Sequence, residues 1–317
     1  MTKSRLILSI IAVIIVVITA ISYASLKMTQ KKPASSGRVN KVKLIYNRAG
    51  ELLENNEQDK AIGAYAVVVS QYPSSRYAEK SFKKLAFIYS DSGDDEKAKY
   101  YYQRLLKEFP GVEDAKDIRS RVEKINLKMM ESRVSTKDSI EYTVQPGDTL
   151  YAIARKFKTT VELIKKMNGL DGDLIRIGQK LKINVAEFSI LVDKAKNILI
   201  LKKDGEPFKT YAVATGRDSS TPAGTFTIID RMIKPPWTKP GVGIIMPDSP
   251  EYELGARWMP ISIPGYGIHG TDDDSSIGKQ TTSGCVRMHD KDVIELYNMV
   301  PKGTVVEIVD GTETPQS

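Results

Sequence analysis

The distribution of apolar and polar positions changes character several times along the chain. Residues 6–26 carry no charge and are rich in Ile and Val, with Lys3 and Arg5 on one side and Lys27 on the other. At 1.5 Å per residue such a helix reaches about 30 Å, the thickness of a hydrocarbon core. Residues 1–27 are therefore read as a cytoplasmic stub and transmembrane anchor, or alternatively as a signal peptide cleaved near Ser22-Tyr23-Ala24. A flexible linker at 28–38 follows. From 39 to 134 the apolar positions take a helical period, and a pattern returns after 37 residues: Ala49 with Ala86, Ala61 with Ala98, Tyr72-Pro73 with Phe109-Pro110. Each unit reads as two helices joined by a turn, at 55–59 or 92–95, and stopped where proline cannot continue the helix. A last helix is expected over 112–132.

After a polar break at 135–140 the pattern becomes mixed over 141–184. Glu141–Val144 alternates as a strand, and Pro146-Gly147-Asp148 makes a turn, with Asp148 placed to cap a helix over 149–157. Thr159 or Thr160 caps a second helix that Asn168-Gly169 ends. A second alternating strand lies over 177–183, giving a compact β-α-α-β unit. From 188 to 309 short strands dominate: 188–192, 198–201, 210–214, 225–229 and 304–309, with a hairpin turn at Asp204-Gly205 and one helix over 291–299. The stretch 234–247 is a long Pro/Gly-rich loop, and such loops are functional or disordered. Residues 310–317 read as a disordered tail. The fold class is thus multidomain: a transmembrane helix, an all-α repeat segment, a small β-α-α-β module and a mainly-β domain.

Charge adds one point to this picture. The net charge is +8, and by count roughly +7 falls on 27–134, +2 on 135–187 and −3 beyond. A nucleic-acid reader concentrates basic charge on its recognition domain, so that class is set aside. An anionic surface, cell-wall polymer or lipid, suits the basic middle better. The lysines just after residue 26 would by themselves point the body of the protein inward. That bias is overridden by what the later modules look built to bind.

Candidate chemistry concentrates on Thr281–Met288. Cys285 is the only cysteine, which excludes an intrachain disulfide and a cysteine-based zinc cluster. A lone Cys with a distant His is a candidate nucleophile and base; the plain alternative is a buried apolar thiol. If 285–287 is extended, Cys285 and Arg287 emerge on one face and Val286 and Met288 pack inward. Arg287 then offers a fork for a carboxylate, and the amides of Gly284 and Cys285 could face a developing oxyanion. Of the two histidines, His269 in IHGT is preferred as base; His289 reads as a solvated helix-entry residue. Trp237, on the long loop, is a candidate substrate-facing wall.

Three resemblances follow from these residues. The paired helices of 39–134 resemble tetratricopeptide repeats, which implies a possible protein partner on their concave face, a spacer being the alternative. YTVQPGDTLYAIARKF…MNGL…IRIGQKLKIN resembles a LysM domain, which implies binding of N-acetylglucosamine-containing glycan at Gly147, Asp148, Thr149, Leu150 and Ile177. VDKAKNILILKKDG…YAVATG…TPAGTF…YGIHGT…TSGCVRM resembles the L,D-transpeptidase catalytic domain. That resemblance implies Cys285 as nucleophile on a peptidoglycan tetrapeptide stem, loss of D-alanine, and transfer to an acceptor amine as a 3→3 cross-link. It further implies His269 as base oriented by the Gly270 carbonyl, Gly284 in the nucleophile turn, Arg287 on a substrate carboxylate, and no metal or organic cofactor. Thr282 and Ser283 depart from the family's usual residues there, and are carried as substrate-side candidates. The sequence thus predicts a membrane-anchored wall enzyme facing outward. Its rivals are an L,D-carboxypeptidase, in which water resolves the same intermediate, and a non-catalytic wall-binding scaffold.

Overall fold

The computed structural model describes residues 35–134, 136–239 and 241–311. The apolar run at 6–26, the start of the linker and most of the C-terminal tail lie outside the described residues. Among the described residues no helix is long and apolar enough to cross a membrane. The described residues form two compact units, divided between Leu85 and Ala86, taken separately below.

In the first unit, α1 (Ser35–Glu54) packs against α2 (Gln58–Gln71), and α3 (Arg76–Asp91) begins. Ala49 and Ala61 are fully buried, and their small side chains allow close helix approach. Tyr46 meets Tyr65 edge-on at 5.6 Å and Tyr77 at 5.4 Å. In the second unit, α4 (Asp95–Glu108) and α5 (Ala115–Glu131) pack together, with Ala86 and Ala98 fully buried at the corresponding repeat positions. The repeat extends to the backbone. Asn56 and Gly93, 37 residues apart, both take left-handed φ in the turns, and Tyr72 and Phe109 cap their helices with φ near −133°. Of the three consecutive tyrosines, Tyr102 is buried, Tyr101 stacks on Tyr89 at 5.5 Å, and Tyr100 stays exposed.

The small module is β1 (Ser139–Thr143), α6 (Leu150–Lys156), α7 (Val161–Asn168) and β2 (Lys180–Asn184). The strands pair antiparallel, Ser139 with Asn184 through Thr143 with Lys180. The break assigned to 135–140 is therefore partly strand. The cap of α6 is Thr149, whose Oγ1 accepts the Ala152 N–H at 3.1 Å; Asp148 instead ties the preceding turn. Thr160 caps α7, and Gly169 ends it in the left-handed region (φ 62°).

The mainly-β domain contains β3 (Phe188–Asp193), β4 (Ile198–Lys203), β5 (Glu206–Gly216), β6 (Gly224–Thr227), β7 (Met232–Ile233), β8 (Trp237–Lys239), β9 (Gly243–Ile245), β10 (Arg257–Pro260), β11 (Gly267–His269), β12 (Gln280–Thr282), β13 (Val286–Met288), α8 (Asp290–Met299) and β14 (Val305–Val309). The main sheet runs β6-β14-β3-β4-β5-β13-β11-β10-β7, with β12 beside β5. Asp204 and Gly205 both take φ above +50°, as a two-residue turn matched to strand twist requires. The long loop at 234–247 proves to hold a hairpin, β8 against β9, whose Trp237 faces Ile245 in the pairing. One apolar core unites Val192, Leu199, Leu201, Val213, Val286 and Met288 from the sheet with Val293 and Leu296 of α8, and it continues into Leu163 and Met167 of α7 and Met130 of α5.

Candidate active site

Strand register gathers the reactive residues. β11 and β13 run parallel, with Ile268 opposite Val286 and His269 opposite Arg287. Residues directly paired across strands project to the same face, and neighbours along a strand alternate. Ile268, Val286 and Met288 are buried in the core, so His269 and Arg287 share the other face, and Cys285, two residues before Arg287, precedes them on it. On the far side, β10 pairs Trp258 with His269, and their rings lie 5.5 Å apart at 46°.

His269 is 3% exposed, and its Nδ1 lies 2.7 Å from the Gly270 carbonyl oxygen. A carbonyl only accepts, so this contact assigns the ring proton to Nδ1 and leaves Nε2 as the basic nitrogen. Burial, then the Arg287 charge, push the imidazole pKa down to about 4. It is neutral at neutral pH. The Gly270 peptide is itself wedged in place. A Cβ at 270 would fall 2.0 Å from Asp290 Oδ1, the same oxygen that accepts the Ala256 N–H at 2.8 Å.

Cys285 is partly exposed, and its thiol reaches the Gly265 carbonyl at 3.6 Å. Burial raises the thiol pKa, opposed by a backbone hydrogen bond from Gly267 and by the Arg287 charge. The resting pair is therefore a neutral thiol and a neutral imidazole. Gly284 takes φ +132°, and a Cβ there would come within 2.6 Å of the Tyr266 ring and 3.1 Å of the Ser220 carbonyl. Only glycine lets this turn pass so close to Tyr266.

Two expected roles change. Thr282 is buried; its hydroxyl accepts the Gly284 N–H at 3.2 Å and donates to the Cys285 carbonyl at 2.7 Å. It staples the nucleophile turn rather than facing substrate, and it takes up the Gly284 amide expected at an oxyanion. Ser283 is exposed beside it. Trp237 packs with Ile245, Tyr252 and Leu254 and is joined there by Trp258, so it supports the hairpin over the cluster that backs His269. Arg287 pairs with Glu253, Nη2 to Oε2 at 3.1 Å, while its buried Nε has no partner. His289 precedes α8 and bonds Asp274, as a helix-entry residue would. Sequence reading missed Trp258, Glu253 and Tyr266, which carried no local signal, and read Asp290 only as the cap of the helix over 291–299; His289 holds the cap position, and Asp290 is the first helical residue.

In the small module Gly147 (φ 84°) lies in the exposed turn. Asp148 Oδ2 accepts from Tyr142 Oη at 2.7 Å and from the Gln145 N–H at 2.8 Å, so its carboxylate is spent on the turn. The Leu150 side chain is in the module's core, which limits any ligand contact there to its backbone. Ile177 is 71% exposed, beside Leu174 at 82%, which sequence reading did not single out. Among the described residues no group of three or more His, Cys, Asp or Glu could hold a metal ion.

Cys285, His269 with its proton fixed on Nδ1, and Arg287 in register thus share one face of a mainly-β domain. Comparison with known proteins specifies it further. The L,D-transpeptidase catalytic domain family matches residues 187–308, the LysM domain 142–184, and the tetratricopeptide repeat 48–75 and 84–111. The chain is 37% identical over 175 residues to a Bacillus licheniformis protein named L,D-transpeptidase YkuD, covering 53% of this chain and 97% of that one. Its Bacillus subtilis namesake is 36% identical over 177 residues, covering 53% and 98%. The solved catalytic domain of an E. faecium L,D-transpeptidase is 27% identical with a TM-score of 0.33, covering 39% of this chain and 97% of that one. The chain belongs to the L,D-transpeptidase family, with a LysM domain and tetratricopeptide repeats before the catalytic domain.

Proposed function

We propose that the protein is a peptidoglycan L,D-transpeptidase in which Cys285 is the nucleophile. The observation that carries this reading is the hydrogen bond from His269 Nδ1 to the Gly270 carbonyl, in register with Arg287 and on the face of Cys285. It leaves Nε2 unprotonated and able to take the thiol proton as sulfur attacks the carbonyl of the L-centre residue of a tetrapeptide stem. A thiol whose pKa is raised is not pre-ionised, so proton transfer accompanies attack. The Cys285 amide is the remaining backbone donor for the oxyanion. Collapse breaks the amide bond, the imidazolium returns its proton to the leaving D-alanine nitrogen, and a thioester remains. An acceptor amine on a second stem then attacks the thioester, forms the 3→3 amide and restores the thiol. Arg287 binds a substrate carboxylate, in exchange for Glu253. The LysM domain supplies glycan contact through Gly147, Thr149 and Ile177, and the body faces the cell wall, carried there by the apolar run at 6–26.

Incubation of the purified protein with tetrapeptide-stem muropeptides, read by mass spectrometry, tests this. The expected result is cross-linked dimers and a thioester adduct, both lost in Cys285→Ala. Tripeptide products without dimers would assign hydrolysis instead, and wild-type cross-linking by Cys285→Ala would overturn the mechanism.

A further inference from the structure

A cavity whose lining includes none of Cys285, His269 and Arg287 lies where α4 and α5, the segment after them, the LysM domain and the catalytic domain converge. Its volume is about 200 Å³, room for about six waters at ~30 Å³ each. Cationic side chains dominate it. Lys99 comes from α4, Lys137 from the connecting segment, Lys182 from β2 and Lys203 from β4, against Glu96 and Asp138. Two of the lysines are satisfied: Lys203 pairs with Asp138 at 2.6 Å, and Lys182, 7% exposed, donates to the Ser132 and Val134 carbonyls. The Lys99 side chain makes no hydrogen bond or ion pair among the described residues; its pKa is lowered by burial and then by the charge of Lys203, with Asp138 and Glu96 acting the other way. Four lysines against two carboxylates leave the cavity with an excess of positive charge that a further anion would offset.

The cavity also holds an unmet acceptor. Asn126 of α5 is 3% exposed; its Nδ2 donates to the Phe208 carbonyl at 2.8 Å, which fixes the amide orientation. Its Oδ1 is buried with no partner. Buried polar atoms are ordinarily paired, and an orphan lining a cavity marks what is missing there. The two demands are complementary: Lys99 calls for a negative oxygen and Asn126 Oδ1 calls for an O–H or N–H.

We propose that this cavity binds a protonated phosphate group, which offers both, with anionic oxygens toward Lys99 and its remaining O–H toward Asn126 Oδ1. Four parts of the chain line the site, so its occupant braces the last helices of the repeat segment, the LysM domain and the catalytic domain as one body. Sulfate has the same shape and charge but no proton to give at neutral pH, which makes it the discriminating probe.

Titration calorimetry on the full chain at neutral pH, with inorganic phosphate, sulfate and glycerol 3-phosphate as probes, tests the site. The expected result is submillimolar phosphate affinity, about tenfold tighter than sulfate, with a rise in melting temperature that tracks occupancy. Lys99→Gln, on a helix flank outside the catalytic machinery, weakens phosphate about tenfold, and Lys99→Arg restores most of it. Glycerol 3-phosphate, whose phosphate is mostly an O–H-free dianion at neutral pH, is expected to bind no tighter than sulfate; binding as tight as inorganic phosphate would overturn the role given to the O–H. Equal affinity for sulfate and phosphate, no binding at millimolar phosphate, or binding indifferent to Lys99→Gln would each overturn the proposal.

Discussion

The Asp290 carboxylate connects helix α8 to His269, the proposed base, without touching it, and its replacement separates positioning from packing. Oδ1 accepts the N–H of Ala256, which is buried, and lies where a side chain at Gly270 or Gly255 would have to go. Removing it in Asp290→Ala strands the Ala256 donor, which costs about 1–3 kcal/mol. It also opens space beside the Gly270 peptide, which keeps its N–H on the Arg257 carbonyl at 3.2 Å and whose carbonyl holds His269 Nδ1 at 2.7 Å. Misdirection of a base lowers the acylation rate steeply, by ~100-fold for a displacement of about 1 Å. Asp290→Asn keeps an oxygen acceptor of the same length, so it retains the Ala256 hydrogen bond and most of the rate. The assay pairs urea unfolding with the rate of thioester formation, followed by mass spectrometry across pH. Asp290→Ala is expected to lose stability in that range and to lower kcat far more than it changes KM, with Asp290→Asn near wild type in both. If Asp290→Ala acylates at the wild-type rate, or if Asp290→Asn falls as far as Asp290→Ala, the chain of contacts from Asp290 through Gly270 to His269 does not position the base.

Other expectations follow from the same geometry. His269 is held neutral, with its pKa lowered from an ordinary 6.5 to about 4, so below pH 6.5 the unfolded chain binds a proton that the native state refuses. Its contribution is complete above 6.5 and is lost as pH falls to 4, about 3 kcal/mol in total; His269→Gln should flatten that part of the stability profile in acid-dependent urea unfolding. Acylation by the free protein should hold its rate below pH 6 for the same reason, and a half-maximal point near 6.5 in kcat/KM would contradict it. Arg287→Ala should raise KM for a carboxylate-bearing stem, while Glu253→Gln should lower KM by removing a competing carboxylate; opposite signs in steady-state kinetics are the check. Arg231 binds Glu162 at 3.0 Å and the Tyr297 carbonyl at 2.6 Å, and covers the Tyr297 ring at 4.0 Å. Arg231→Ala should cost about 1–3 kcal/mol and speed amide exchange in α7 and α8 before the rest of the sheet.

Much of this organisation was legible because it rests on local chemistry. Asp204-Gly205 specified its hairpin, Gly169 its helix end, and the buried alanines and aromatic-Pro stops specified the helical repeat down to the matching turns at Asn56 and Gly93. Cys285, Arg287 and His269 were legible because alternation and register are short-range rules. The strands β7 to β13 were mostly not, since two to four residues are too few to establish a period. Trp258 and Glu253 were missed for a related reason. Each acts through a partner far along the chain, Trp258 by strand register with His269 and Glu253 from a segment with no regular structure, and neither pairing leaves a trace in local sequence. At Asp148 and Thr149 the composition was right and the assignment off by one, because both side chains can bond a nearby N–H and only backbone geometry selects the cap.

The modular reading of the sequence also understated how the second unit holds together. A LysM domain of this size is marginal by itself, and here its helix α7 does not close its own core alone. Leu163 and Met167 enter the same apolar cluster as Leu296, Tyr297 and Met299 of α8, and Thr160 bonds the Asn298 carbonyl. Helix α5 reaches the catalytic domain too, through Met130 in that cluster, Asn126 on the Phe208 carbonyl and Glu123 on the Thr210 N–H. These contacts are buried and apolar at their centre, with polar pairs at the edge, which is the make-up of a fixed interface and not of a tether. The surface that carries Gly147 and Ile177 is therefore held at a set angle to the face that carries Cys285. Helix α8 is the element that joins the two: its first residue, Asp290, bonds Ala256 and packs against Gly270 beside His269, and its last turn receives the LysM domain.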